Sequence, residues 1–398
     1  MAGTAALDQV SGKADGIAVE LRGDAYLRGC IQCGDCSGAC PFAYLMEYPP
    51  SRMISALRAD IFDRVLSGET VWMCVACSAC TSVCPVQIPI TKNLMTRVKE
   101  ELLLAGNVPT ELQTALENSQ RYGNPLGESP RKRADWIQGL DIPVPLFGRD
   151  KRSADVLWFV GDYPSYHPRE QLVARAFARL LNILGVDFAI LGAEENSDGD
   201  SQRLAGERGL FELLAEKNGR AFRKYQFGEI ITTDPHAFNA FKNEYPNLGI
   251  SYPVRHYTQF LAERLEWLKP HLTKEVKARV AFHDPCYLGR VNGEYEAPRK
   301  LLAAIPGLEL VEMPHNRKNS LCCGGGGGGM WMDGFQWEIA HTRLSEWRVL
   351  EADKVGAEVM AVACPYEPPR FEDAVKTVLP DGHLVIKDIA ELLCESME

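Results

Sequence analysis

Eight cysteines near the start of the chain fall into two runs of one pattern. These are Cys30, Cys33, Cys36 and Cys40 followed by Pro41, and Cys74, Cys77, Cys80 and Cys84 followed by Pro85. Each reads C-x2-C-x2-C-x3-C-P, in which three closely spaced thiolates wrap one face of a [4Fe–4S] cubane and the fourth ligand comes from elsewhere. With two runs present the fourth cysteines exchange. The expected sets are Cys30, Cys33, Cys36 and Cys84 for one cluster, and Cys74, Cys77, Cys80 and Cys40 for the other. Zinc and disulfide readings fit less well. Zinc knuckles come as paired C-x2-C, and a disulfide framework belongs to an exported chain. The chemistry expected is electron transfer.

A second group lies in the last third of the chain. Cys286 ends His283-Asp284-Pro285-Cys286, Cys322 and Cys323 adjoin a run of six glycines at 324–329, and Cys364 opens Cys364-Pro365-Tyr366-Glu367. Glycine supplies the backbone freedom that adjacent metal-ligating cysteines need. A glycine run is also often a linker, and a buried cysteine often a small hydrophobe. Two cysteines at strand ends plus a doublet beside the glycines favour a third metal site, with Cys286, Cys322, Cys323 and Cys364 as ligands. Cys394 reads as an ordinary thiol.

The elements that must position these residues alternate. Short apolar runs at 156–160, 188–191, 230–232, 280–282, 308–311 and 359–362 read as strands. Helical patterns at 169–184, 208–217, 297–305 and 338–350 separate them. Such alternation predicts α/β units with largely parallel sheets, and the apolar strands predict burial on both faces. The unit occurs twice, with Asp162, Ser197, Asp234 and Ala237 of the first copy where the second has cysteines or Glu367. The first copy is therefore expected to hold no cluster and to serve as scaffold. Upstream, residues 44–66 carry helical apolar spacing (Leu45, Ile54, Leu57, Ile61, Val65). The expected divisions are a lead-in at 1–29, a two-cluster domain at 30–104, a breaker-rich connector at 105–151, and repeat units at 152–256 and 257–398. A basic triplet in the connector, Arg131-Lys132-Arg133, reads as a solvated face.

Of the 398 residues, 46% are hydrophobic and 24% charged, ordinary for a globular protein. No run approaches the roughly eighteen apolar residues of a membrane span, and the N-terminus lacks a secretory pattern. Thirteen cysteines without an export signal point to a reducing cytoplasm, with attachment to the inner membrane face left open. A net charge of −10 argues against a nucleic-acid partner. No G-x-G-x-x-G sits at a first strand–helix turn, so neither NAD nor flavin is expected on this chain.

With these motifs in place the chain resembles the D-type heterodisulfide reductase proteins, in which a C-type iron–sulfur segment is fused to a B-type segment of tandem CCG domains. The cysteine runs carry the first part of that resemblance. His283-Asp284-Pro285-Cys286-Tyr287-Leu288-Gly289-Arg290 with Cys322-Cys323-Gly324 carries the second. It implies a helical ferredoxin-type dicluster domain followed by two repeated α/β CCG units. It also implies a third [4Fe–4S] cluster, noncubane or cubane, at the second CCG site, where disulfide or thiol chemistry would occur. The closing C-x2-C of the family reads Cys364-Pro365-Tyr366-Glu367 here. Glu367 either gives a carboxylate oxygen to iron or is a surface glutamate left after a lost ligand. Cys322, Cys323, His283 and Arg290 are the expected reactive group, with Tyr287 and His315 as further proton-donor candidates.

Three functions follow from this reading. One is a heterodisulfide reductase-like oxidoreductase subunit reacting with a disulfide or thiol. Another is a wire or scaffold between a flavoprotein, hydrogenase or dehydrogenase donor and a quinone-reactive membrane subunit, down to only two working cubanes beside a zinc-holding or metal-free CCG half. The last is the iron–sulfur subunit of a glycolate or lactate-type oxidase.

Overall fold

The computed structural model describes residue 17 and residues 19–397, so most of the 1–29 lead-in lies outside the described residues. The chain divides into two compact units, one of residues 1–114, 201–208 and 324–343, the other of the remaining segments.

The first unit is helical. Asp24 caps a single turn, Ala25–Arg28, by accepting from the N–H groups of Tyr26 and Leu27. The two cysteine runs then build the same loop twice. Gln32 and Gly34 have φ of 59° and 87°, and the equivalent Ala76 and Ser78 have 51° and 59°. Each loop ends in a one-turn helix, Asp35–Gly38 or Ala79–Ser82, that carries the third cysteine. Left-handed backbone at Gln32, Ala76 and Ser78 costs strain that non-glycine residues tolerate mainly at functional sites. The apolar spacing at 44–66 resolves into two helices, Pro50–Arg58 and Asp63–Leu66, broken at Asp60, whose φ is 62°. Ile54, Leu57 and Val65 are buried as the spacing requires, while Ile61 faces solvent.

The second unit holds both repeats. Strands β1 (Val156–Phe159), β2 (Phe188–Ala189), β3 (Glu229–Thr232) and β4 (Val254–His256) form a parallel sheet in the order β2-β1-β3-β4. Strands β5 (Ala278–Phe282), β6 (Leu308–Val311), β7 (Val359–Val362) and β8 (Val385–Asp388) repeat it as β6-β5-β7-β8. β1 and β7 are buried at every position, as central strands of helix-covered parallel sheets must be. Both sheets lay apolar side chains into one continuous core. Trp158, Phe177 and Phe188 from the first copy meet Val280, Leu301 and Val359 from the second, and Tyr257 lies among them.

One sequence expectation needs correction. The pattern at 338–350 is not one helix. His341, at φ 51°, ends Asp333–Ala340, and a new helix runs Leu344–Lys354. The breaker-rich connector carries ordered structure. It holds the helix Thr110–Tyr122, and its Trp136 packs edge-on against Trp158 with ring centroids 5.3 Å apart. The edge strands β4 and β8 are additions to the strands that apolar runs mark. Each runs straight into a helix through a capping box, His256 with Gln259 and Asp388 with Glu391.

Candidate functional site

In the first unit Cys40 lines one cavity with Cys74, Cys77 and Cys80, walled by apolar residues including Met46, Met73 and Val75. This is the grouping expected from exchanged fourth cysteines. Burial, reinforced by neighbouring thiols, pushes Cys40 up to about 12 and raises Cys74 and Cys80. Clustered buried thiols can ionise together only around a cationic core, so the donor set suits an iron–sulfur cluster. Cys30 and Cys33 likewise act on Cys36, which, raised chiefly by burial, lies near 11. Weak donors reach several sulfurs. Gln32 Nε2 lies 3.2 Å from Cys30 Sγ, Ile88 N 3.4 Å from Cys84 Sγ, and Thr91 Oγ1 3.7 Å from Cys80 Sγ.

In the second unit the strand order places the next candidate site. From β5 the chain goes to one side for β6 and then to the other for β7, so the crevice beyond the carboxyl ends of β5 and β7 is a topological switch point. Cys286 follows β5 and Cys364 follows β7, and with Cys322 and Cys323 all four are buried. Arg370 Nε donates to the Cys323 carbonyl at 2.7 Å. Arg290 donates to the carbonyls of Lys318 and Ser320, just ahead of the cysteine doublet.

His283, Cys323 and Glu367 present ligand atoms within 4.8 Å of one another. Glu367 is 1% exposed, so the surface-glutamate alternative is wrong. Its N–H bonds to the Cys364 carbonyl at 3.0 Å, which turns the side chain inward at the start of the helix Glu367–Val378. His283 Nε2 lies 3.2 Å from Glu367 Oε1. Arg348 Nε donates to His283 Nδ1 at 2.9 Å, and a guanidinium has no acceptor to offer in return. The ring proton therefore sits on Nε2, facing Glu367 and Cys323. Burial opposes charging of His283, while Glu367 and Cys323 pull its pKa upward. An imidazolium would set two N–H groups against each other at Arg348, so the hydrogen bond decides for the neutral Nε2–H ring. Burial, partly offset by His283, pushes Glu367 up to about 7.

The other proton-donor candidates fall elsewhere. The His315 side chain is 56% exposed and pairs with Glu351 at 2.8 Å. Arg290 binds backbone and so positions the loop. The Tyr287 ring lies tilted against that of His236, with centroids 4.2 Å apart.

The matching switch point of the first copy, between β1 and β3, is filled with charge. Arg133 is 2% exposed and bridges Asp162 at 2.7 Å and Glu195 at 2.9 Å. The basic triplet is thus a solvated face only at Arg131 and Lys132, because Arg133 turns inward. His236 Nδ1 sits 3.0 Å from Asp200 Oδ2, and its ring also lies 5.5 Å from that of Tyr366. Burial raises Asp234, partly offset by His236, to about 6, and raises Asp198 well above the usual range. A protein ion network thus occupies the switch point of the first copy. The sequence marked these positions by their lack of cysteine, but not the partners Arg133, Glu195 and His236. The buried acids Glu195 and Asp198, flanking Ser197, were the available signal.

Comparison with known families agrees with this architecture. Residues 26–88 match the 4Fe-4S dicluster domain, and residues 156–242 and 280–366 each match the cysteine-rich CCG domain. The chain is 36% identical over 365 residues to the probable iron–sulfur-binding oxidoreductase FadF of Bacillus subtilis, covering 91% of this chain and 50% of that protein. It is 32% identical over 363 residues to the EtfAB:quinone oxidoreductase of Syntrophomonas wolfei, covering 89% and 50%. It is 30% identical over 402 residues to the D-type polypeptide of the dihydromethanophenazine:CoB–CoM heterodisulfide reductase of Methanosarcina mazei, covering 93% and 94%. The chain thus spans half the length of the Bacillus and Syntrophomonas relatives and nearly all of the Methanosarcina polypeptide. No helix among the described residues is long and apolar enough to cross a membrane.

Proposed function

Since the chain belongs to the heterodisulfide reductase D-type family of iron–sulfur proteins, we propose that it carries electrons to a third iron–sulfur site in its second CCG repeat. The ligands assigned are Cys30, Cys33, Cys36 and Cys84, then Cys74, Cys77, Cys80 and Cys40, and finally Cys286, Cys322, Cys323 and Cys364 with Glu367. Bound clusters supply one-electron storage and relay. The observation that carries the third assignment is the buried convergence of His283, Cys323 and Glu367 at the switch point.

The protein's own residues do the rest. Arg370 and Arg290 fix the backbone on either side of the cysteine doublet. Arg348 holds His283 with its Nε2 proton toward Cys323 and Glu367. Glu367, pushed up to about 7, is placed to give a proton to a thiolate leaving a substrate disulfide and to take one up again, and the neutral His283 ring orients its carboxyl through Nε2–H. The chain's partner would be a larger redox assembly with a flavoprotein, hydrogenase or dehydrogenase donor.

A second reading makes the chain a carrier toward a quinone-linked membrane partner. It is favoured by the first copy's closure with Arg133 and His236, which leaves cysteine ligands in the second copy only. The relative named an EtfAB:quinone oxidoreductase fits the same reading. A Cys322→Ala/Cys323→Ala double variant tests the shared core of both. Loss of about four irons per chain, with two cubane signals kept, supports a cluster there. Unchanged iron would remove the third site from the account.

A further inference from the structure

Lys99 lies in the helix Thr96–Leu104 and its side chain is wholly buried. Its ammonium donates to the carbonyl of Cys74 at 2.6 Å and to the carbonyl of Gly327 at 3.0 Å, and lies 5.6 Å from the centroid of the Trp72 ring. A buried lysine is costly unless something opposes its desolvation. Burial lowers the pKa of Lys99, partly offset by the Cys74 sulfur, and two carbonyl dipoles and an aromatic face receive its ammonium.

Three segments of the first unit meet at this residue. One is the loop of the second cysteine run. Another is the glycine run that leaves Cys323. A Cβ on Gly327, whose φ is 59°, would stand 3.0 Å from Ala76 Cβ and 3.2 Å from Ala76 N. The glycines are therefore a packed element, not a loose linker, and glycine is required where the backbones touch. The third is the end of the helix Asp200–Leu204, where Gly206, at φ 96°, lies so close that its Cβ would come within 2.7 Å of the Lys99 carbonyl carbon.

The cavity formed by Cys40, Cys74, Cys77 and Cys80 has no Asp, Glu, Lys, Arg or His in its lining. A cubane held there gains one negative charge on reduction, and its potential follows the fixed charge and hydrogen bonds around it. We propose that Lys99 is the positioning residue of the second cubane: its charge raises that cluster's midpoint potential, and its two hydrogen bonds latch the glycine loop onto the cluster loop. The inference rests on the assignment of a cubane to these four cysteines. It adds a bias in the direction of electron flow, because the cubane beside the buried cation becomes the better acceptor of the two.

The test uses the full chain, purified anaerobically, with potentiometric EPR titration of both cubanes and hydrogen exchange over residues 325–330. Lys99→Gln keeps a donor without charge, and Lys99→Arg keeps the charge. In Lys99→Gln one cubane midpoint falls while the other stays, and the Met330 amide, bonded to the Gly325 carbonyl at 2.9 Å, exchanges faster. In Lys99→Arg the midpoint stays close to that of the parent. Loss of one cubane from the Gln variant with retention in the Arg variant also supports a role for the charge. Fully loaded Lys99→Gln with both midpoints unmoved overturns the inference, as does an Arg variant that behaves like the Gln variant. A parent protein lacking two cubane signals would overturn the ligand assignment itself, which separates the two failures.

Discussion

Arg348 Nε donates to His283 Nδ1 at 2.9 Å, and so a guanidinium with no contact to the reacting atoms sets which ring nitrogen faces Cys323 and Glu367. Both residues are essentially without solvent exposure, and Arg348 is tethered in turn to the His315 carbonyl at 2.7 Å and to Glu351 at 2.6 Å.

Arg348→Met should release that constraint. In protein labelled with 15N-histidine, the His283 signal should leave the Nε2–H tautomer pattern. The lost buried partner should cost about 3 kcal/mol in denaturant unfolding. A variant that keeps the tautomer would show that His283 is oriented by Glu367 alone.

Glu367→Cys should change the absorption and EPR spectra of the third site, because the side chain at 367 faces Cys323 and His283 from a fully buried position. An unchanged spectrum in a fully loaded variant would mean that position 367 does not reach the metal.

Arg133→Met should destabilise the protein by about 3–5 kcal/mol, since it leaves Asp162 and Glu195 buried without their shared cation. Arg131→Met, two residues away and exposed, should stay within about 0.5 kcal/mol. Urea unfolding of the two variants compares them directly, and equal effects would refute a structural charge network in the first repeat.

Arg133 also shows where sequence reading stops. Both cysteine runs, the twofold repeat and the central strands could be read from spacing and apolar runs, because those signals are local. The inward turn of Arg133 depends on Glu195, 62 positions away, and that of Lys99 on Gly327, 228 positions away. No periodicity encodes such pairs. The strands β4 and β8 escaped for another reason. They are three and four residues long, lie at sheet edges, and mix partly exposed with buried positions, so no apolar run marks them. The capping box Asp388-x-x-Glu391 was the readable trace of β8. The break at His341 left no trace, since a left-handed histidine has no sequence signature comparable to glycine's.

Asp388 makes the protein's stability depend on pH. Burial raises its pKa to about 8, against the hydrogen bonds from Ala390 N and Tyr257 Oη, each 2.8 Å. The folded value exceeds the unfolded value of about 3.9. The folded state therefore holds the extra proton, and stability falls as pH rises from about 4 to 8, by up to about 1.4 kcal/mol per unit. Asp388→Asn keeps an N-cap and removes the titration. Its unfolding free energy should show a flatter profile over that range, and an unchanged slope would assign the pH dependence to other groups.

Iron content of the anaerobically purified full chain tests the central claim most directly. About twelve irons per chain are expected, four at each of the three cysteine sites. About eight would contradict the third site and reduce the CCG half to a docking scaffold for two cubanes.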